Sequence, residues 1–407
     1  KDLKAKIKNI PNDLHPIVAF LIEATTSSYE WRQRALEPLL KDNSLEKAFA
    51  ERNLPPKKNG EDDTASPLLL RLVRDVDLKY LMAGGIDLVH AVEKAQTRLK
   101  EVKDLGGAFS FDWLTPLGTI AIHGKQKDNY TGDRPYLLIL DTGGNDIYFG
   151  GGGSFDSTHP ISVTLDMHGN DKYVSHSDLL TKLPGTLAGR KLKVVPSFGA
   201  GVFGYGVTAD MEGDDTYRAF RQSLGRGDFG LGMLLDSTGS DQYDCFVQCE
   251  GSAEFGGGVL IDGTGADLYT TFQQAQGFGG IMGAGVLIDI GKESDHYLAN
   301  NVQIDFPSLV DKNQNTSFAQ GSACGMRSDI TDGHSFSAGF GALIDEGGAN
   351  KFQAGFFAQG VSYWYGVGLL SAGSGKDTYE AGKYAQGAGV HFGVGILVDD
   401  GGNDTYK

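Results

Sequence analysis

Cysteine, proline and long apolar runs are scarce in this 407-residue chain, and each scarcity closes off a class of protein. Three cysteines, Cys245, Cys249 and Cys324, supply neither a disulfide framework nor paired CxxC zinc ligands, and are expected to be small buried side chains. Twelve prolines and no G-X-Y period exclude collagen. No run of 18 apolar residues occurs, so no membrane span is expected. The lysine-rich start lacks an apolar signal core and does not open on methionine, which reads as a mature or trimmed form. HExxH, GxSxG and P-loop spacings are missing, and GFGGIMG at 277–283 has no helix after it to bind phosphate.

What is abundant is glycine, 59 residues, and acid. Residues 1–105 carry 18 basic and 17 acidic side chains; of the totals of 36 and 52, the remaining 302 residues therefore hold 18 and 35. All the excess acid sits with the glycine. Such a surface repels nucleic acid and attracts cations.

The first 105 residues read as an α-helical domain. Apolar residues at three- and four-residue spacing predict helices over Leu14 to Ala24, Tyr29 to Ala50, Pro67 to Met82 and Ile86 to Lys103, with a loop over Asn53 to Ala65. Arg32, Arg34 and Glu37 read as a solvated face. The domain is expected to cap the first coil of a repeat array in the glycine-rich region.

From residue 106 one phrase recurs, L-x-D-x-x-G-x-D-x-Y, from LILDTGGNDIY at 138–148 to ILVDDGGNDTY at 396–406. Nine copies recur with a unit of about 26 residues, with insertions at about 174–200 and 298–340. Alternation around the turn gives period-two strands, and one tyrosine per copy is expected to stack inside as a ladder. The fold class is therefore an all-β repeat domain over 106–407, a parallel β-solenoid (β-helix).

Stacking turns a repeated acid into a column. The first aspartate recurs as Asp141, Asp166, Asp210, Asp236, Asp262, Asp289, Asp345 and Asp399, with Ser371 as the exception. The second recurs as Asp146, Asp171, Asp215, Asp241, Asp267, Asp295, Asp377 and Asp404, with Asn350 in copy seven. Carboxylates about 4.8 Å apart repel by about 3.5 kcal/mol at an effective dielectric near 20. Cations must bridge the column, turn N–H groups must neutralise it, or some acids must stay protonated. Asn350 and Phe352 replace acid and phenol in the same copy, which suggests that the two belong to one interaction.

The turn GGNDxY (143–148, 401–406) resembles the glycine- and aspartate-rich nonapeptide of RTX calcium-binding β-rolls. The resemblance is confined to the turn: RTX units recur every nine residues, whereas one turn arrives here every 26 or so. It implies calcium held between successive turns and an exported, extracytoplasmic protein. The chain also resembles bacterial proteins with recurring AQG and GNDTY phrases, to which no activity attaches.

A second phrase, AQG, comes seven residues after the tyrosine in several copies. Its amides, Gln359 and Gln386 among them, read as a ladder on a bend or as contacts to sugar hydroxyls. Tyr363, Trp364, Tyr365 and Tyr384 form an aromatic cluster suited to a glycan. Arg327, His334 and His391 are the candidate catalytic groups. Three functions remain open: a calcium-stabilised binder of an extended polymer, a polysaccharide-degrading lyase or hydrolase, and a structural protein whose open last coil associates end to end.

Overall fold

A computed structural model describes residues 2–53, 64–176 and 194–407. Among the described residues six α-helices come first: α1 (Asp2–Ile7), α2 (His15–Ala35), α3 (Glu37–Leu40), α4 (Ser44–Arg52), α5 (Pro67–Asp75) and α6 (Leu78–Leu99). The helix boundaries differ from the expected ones. α2 runs unbroken through residues 25–28, where Ser28 and Thr25 turn their hydroxyls onto backbone carbonyls. The real break falls at Val76–Asp77, where Asp77 caps α6 by accepting from the N–H groups of Lys79 and Tyr80. Gly84 and Gly85, in the gap expected between Met82 and Ile86, lie inside α6. A Cβ on Gly84 would stand 2.6 Å from Trp31 Cβ and from the Tyr205 hydroxyl, and one on Gly85 2.7 Å from Leu231 Cβ. The glycine pair marks a close approach, not a helix end.

Beyond residue 106 the chain winds into stacked coils. An 11-stranded sheet begins with β1 (Ser110–Thr115) and β2 (Gly118–His123) and continues in parallel through 136–141, 161–165, 205–210 and onward to 394–399. A 10-stranded sheet takes the segment after each turn, from 129–130 to 405–406. Short pairings at 201–202, 227–228, 253–254, 323–324, 362–363 and 389–390 form a third face, joined through bridges at Gly279. Strand 231–236 shows the expected alternation: Gly232, Leu234 and Asp236 point inward and are buried, while Leu231, Met233 and Leu235 point outward. Between the two long sheets stands a ring ladder, Tyr130, Tyr148, Tyr173, Tyr217, Tyr243, Tyr269, Tyr297, Phe352, Tyr379 and Tyr406. Successive centroids are 4.5–5.1 Å apart and planes agree within 8°. Each offset stack adds about 0.5–1.5 kcal/mol to the area it buries.

The helices do not sit on the end of the first coil. They lie along the flank, where their apolar residues share one core with Ile120, Val163, Val207, Phe203, Phe229 and Phe255 of successive coils. The first edge is closed instead by β1, which pairs antiparallel with β2. Arg32, expected in solvent, is 1% exposed and donates to the carbonyls of Phe203 (2.6 Å) and Ser157 (2.9 Å). Burial lowers its guanidinium to about 10. Arg32→Ala leaves two carbonyls unsatisfied and a cavity, so a loss of about 2–4 kcal/mol is expected in denaturant unfolding; a loss below roughly 0.5 kcal/mol would return Arg32 to the solvated class.

The insertion at 298–340 is not one loop. Residues 316–324 rejoin the stack, with strands at Thr316–Ala319 and Ala323–Cys324. Cys245 and Cys249, expected to be small buried side chains, are both fully buried, with their sulfurs brought together inside one coil. No helix among the described residues is long and apolar enough to cross a membrane.

Candidate metal columns and an aromatic flank

The two aspartates of each turn do different work. The first points into the coil beneath the tyrosine ladder. In Asp141, Asp166, Asp210, Asp289, Asp345 and Asp399 one oxygen accepts the N–H two residues on, as in Asp141 with Gly143, Asp289 with Gly291 and Asp345 with Gly347, these three at 2.9–3.0 Å. The other accepts the phenol of the preceding coil: Tyr130 to Asp141, Tyr148 to Asp166, Tyr173 to Asp210, Tyr217 to Asp236, Tyr243 to Asp262 and Tyr379 to Asp399.

The phenol therefore belongs to the first acid of the next coil. Phe352 has no hydroxyl because the next coil offers none of the usual acceptor: Ala372, in register with Asp345 and Asp399, occupies the column. This corrects two expectations. The exception in the first column is Ala372, and Ser371 pairs with Ile344 and Val398. The coupled loss is Phe352 with Ala372. Asn350 answers a different need, donating to Asp345 Oδ1 (2.7 Å) and the Gly347 carbonyl (2.8 Å).

The second aspartate ties one coil to the next. Its Oδ1 accepts the N–H of the equivalent residue one coil earlier: Asp146 to Asp171, Asp171 to Asp215, Asp215 to Asp241, Asp241 to Asp267 and Asp267 to Asp295, at 2.5–2.7 Å. The Oδ2 atoms of Asp146, Asp171, Asp215, Asp241, Asp267, Asp295 and Asp377 accept no hydrogen bond, though these residues are at most 3% exposed. Asp236 Oδ1 and Asp262 Oδ1 are orphaned as well. A buried carboxylate oxygen without a donor costs several kcal/mol unless it is protonated or meets a cation.

Those oxygens converge. Asp141, Asp146 and Asp166; Asp166, Asp171 and Asp210; Asp215, Asp236 and Asp241; and Asp241, Asp262 and Asp267 each bring oxygens within 4.8 Å of one another. That spacing suits an ion with metal–oxygen distances of 2.3–2.6 Å, and an all-oxygen donor set suits calcium. The residues present thus fit the group that the turn implies. Without a cation, burial and the neighbouring acids push the carboxyls up: Asp146 and Asp377 to about 6, Asp267 and Asp345 to about 7, Asp141, Asp215 and Asp241 to about 8, Asp295 to about 9, and Asp171 and Asp262 to about 10. Asp399 and Asp404, in the last coil, are partly exposed.

The AQG amides face the coil. Gln359 is fully buried and donates to the Phe352 and Glu380 carbonyls, each at 3.2 Å. Gln386 donates to the Lys407 carbonyl. They hold a left-handed bend, with φ of 62° and 52°, and Gln359 is closed to any ligand outside.

The residues just before those bends point outward and stack: Phe318 on Phe357 and Phe357 on Tyr384, both 4.9 Å between centroids. Tyr363 meets Phe357 and His391 edge-on, and Tyr365 stacks on Phe392. Arg327 lies over Trp364, 5.3 Å from its ring centre, with Nη1 3.1 Å from His391 Nε2. Tyr363, Tyr365, Tyr384, Arg327 and His391 are thus gathered on one flank, while Trp364 is largely buried beneath Arg327. His334 pairs with Asp332 instead. Arg190, in the first insertion, lies outside the described residues.

Sequence reasoning missed one turn of the column. Residues 121–130, AIHGKQKDNY, place His123, Asp128 and Tyr130 at the spacing of Asp141, Asp146 and Tyr148. The signal was present, five residues and then two, but histidine stood in for the acid. It also missed Asp228 and Glu254, outward residues of adjacent coils that bind Arg52. Compared with protein-family models, with curated proteins and with solved structures, the chain matches none.

Proposed function

We propose that this chain is an exported, calcium-stabilised β-solenoid that binds an extended polymer, a glycan, along the aromatic flank of its last coils. One observation carries the binding role: Phe318, Phe357 and Tyr384 form an outward ladder at the solenoid repeat, continued by Tyr363 and His391. The stacked rings present their edges and the Tyr384 hydroxyl along a rigid axis, an apolar strip with a polar tip against which a sugar chain can lie. The orphaned oxygens of the columns support calcium as the stabilising ion.

The test is retention on a panel of soluble glycans in calcium. Tyr384→Ala, at a half-exposed ring, is expected to weaken binding up to roughly tenfold, in line with about 0.5–1.5 kcal/mol for one stack. Equal retention by the variant, or none by the parent chain on any glycan, would sink the reading. The contact of Arg327 with His391 favours a second reading, an enzyme cleaving acidic polysaccharide. Release of shortened products in the same panel would select it.

A further inference from the structure

The head of the acid columns differs chemically from their body. His123 pairs in register with Asp141, and Tyr130 with Tyr148. The Asp128 N–H donates to Asp146 Oδ1 (2.5 Å), so Asp128 heads the second column. Where later coils carry an acid, the first carries an imidazole. It is 8% exposed, and neither ring nitrogen makes a well-aligned hydrogen bond. Yet carboxylates flank both: Nδ1 lies 3.1 Å from Asp128 Oδ2, and Nε2 lies 3.4 Å from Asp112 Oδ2 on β1. Ligand atoms of His123, Asp128 and Asp141 all fall within 4.8 Å of one another.

We propose that these three residues form a transition-metal site, for an ion of the zinc(II) class, bound through His123 Nδ1 and the carboxylates of Asp128 and Asp141. A nitrogen donor shifts preference away from calcium, whose sites are built of oxygen, toward borderline ions. The surrounding groups have the form such sites require. Asp112 faces the second ring nitrogen, the partner that fixes the tautomer of a metal-bound histidine. Gln126 Nε2 donates to Asp128 Oδ2 and the Tyr130 hydroxyl to Asp141 Oδ2, both at 2.5 Å, so the carboxylates are held before the ion arrives. The ion would join β1, β2 and the first turn, the part of the stack with no coil beneath it. The site shares Asp141 with the first cluster of the columns, while His123 and Asp128 belong to the head alone.

The experiment uses the full chain without an affinity tag, stripped with chelator, returned to millimolar calcium and titrated with cobalt(II). One saturable equivalent is expected, seen as a visible absorption band that zinc(II) abolishes. His123→Ala should remove the band. Asp112→Asn, at a half-exposed position that does not touch the ion, should weaken cobalt about 10- to 100-fold while the fold persists. No saturable band in the parent chain, or unchanged cobalt affinity in Asp112→Asn, would overturn the site. Calcium-dependent melting, recorded on the same variants, reads the columns separately.

Discussion

In the presence of chelator, the protein is expected to be most stable in mild acid and to weaken steadily toward alkaline pH. The raised carboxyls set the sign. An aspartate whose folded value lies above its ordinary 3.8 binds more protons folded than unfolded. Its contribution is complete below about 4 and is lost as pH rises through the folded values, from about 6 for Asp146 to about 10 for Asp262. Calcium should abolish this slope by taking the place of the protons. Each site held at a hundredfold its Kd adds about 2.7 kcal/mol, so three sites would add about 8 kcal/mol and raise Tm on the order of 10 °C at pH 8. Asp241→Asn should copy Asn350: higher stability than the parent in chelator above about pH 6, and a smaller response to calcium. Melting curves that coincide with and without chelator at pH 8 would remove calcium from the columns.

Replacing Arg52 with alanine is expected to detach the helices from the flank, at a cost of about 3–5 kcal/mol. Arg52 ends α4 and grips Asp228 with Nε, 2.9–3.0 Å from both carboxylate oxygens, and Glu254 with Nη2. Burial works against its charge, and the two carboxylates more than offset that cost. The Arg52 carbonyl in turn accepts from Arg221 and Gln222, and buried Arg226 stands 3.4 Å from Glu254. Arg52→Ala removes both hydrogen bonds to the buried Asp228 carboxylate, with Arg226 standing 3.7 Å away. Neutralising both acids, as Asp228→Asn with Glu254→Gln in the alanine background, should recover part of the loss. A denaturant midpoint unchanged by Arg52→Ala would show that apolar contact alone holds the flank.

Much of the solenoid was legible because a repeat multiplies a weak local signal. One such turn says little; nine copies on a unit of about 26 residues specify strand, turn and an inward ring together. The aspartate columns were legible for the same reason, since stacking is a consequence of the period. The bonding within them was not. Tyr297 prefers Asp345, one coil on, at 2.8 Å, over Asp289 of its own coil at 3.2 Å. Nothing local in the sequence distinguishes the two acceptors. The amide ladder shows the same limit: Gln359 and Tyr384 both lie near AQG, yet a left-handed bend sends one inward and the other out.

By itself the sequence determined the coil, its 26-residue rise from one layer to the next, the helical start and the crowding of acid along an axis, because all four depend on spacing and composition. Only the tertiary structure decided where the helices lie, why Gly84 and Gly85 are glycine, that Arg32 and Arg52 are buried, and that His123 heads a column. Those depend on contacts between residues far apart in the chain, such as Arg32 with Phe203 and Arg52 with Asp228. Periodicity reports which face a residue takes; it carries no record of what lies across from that face.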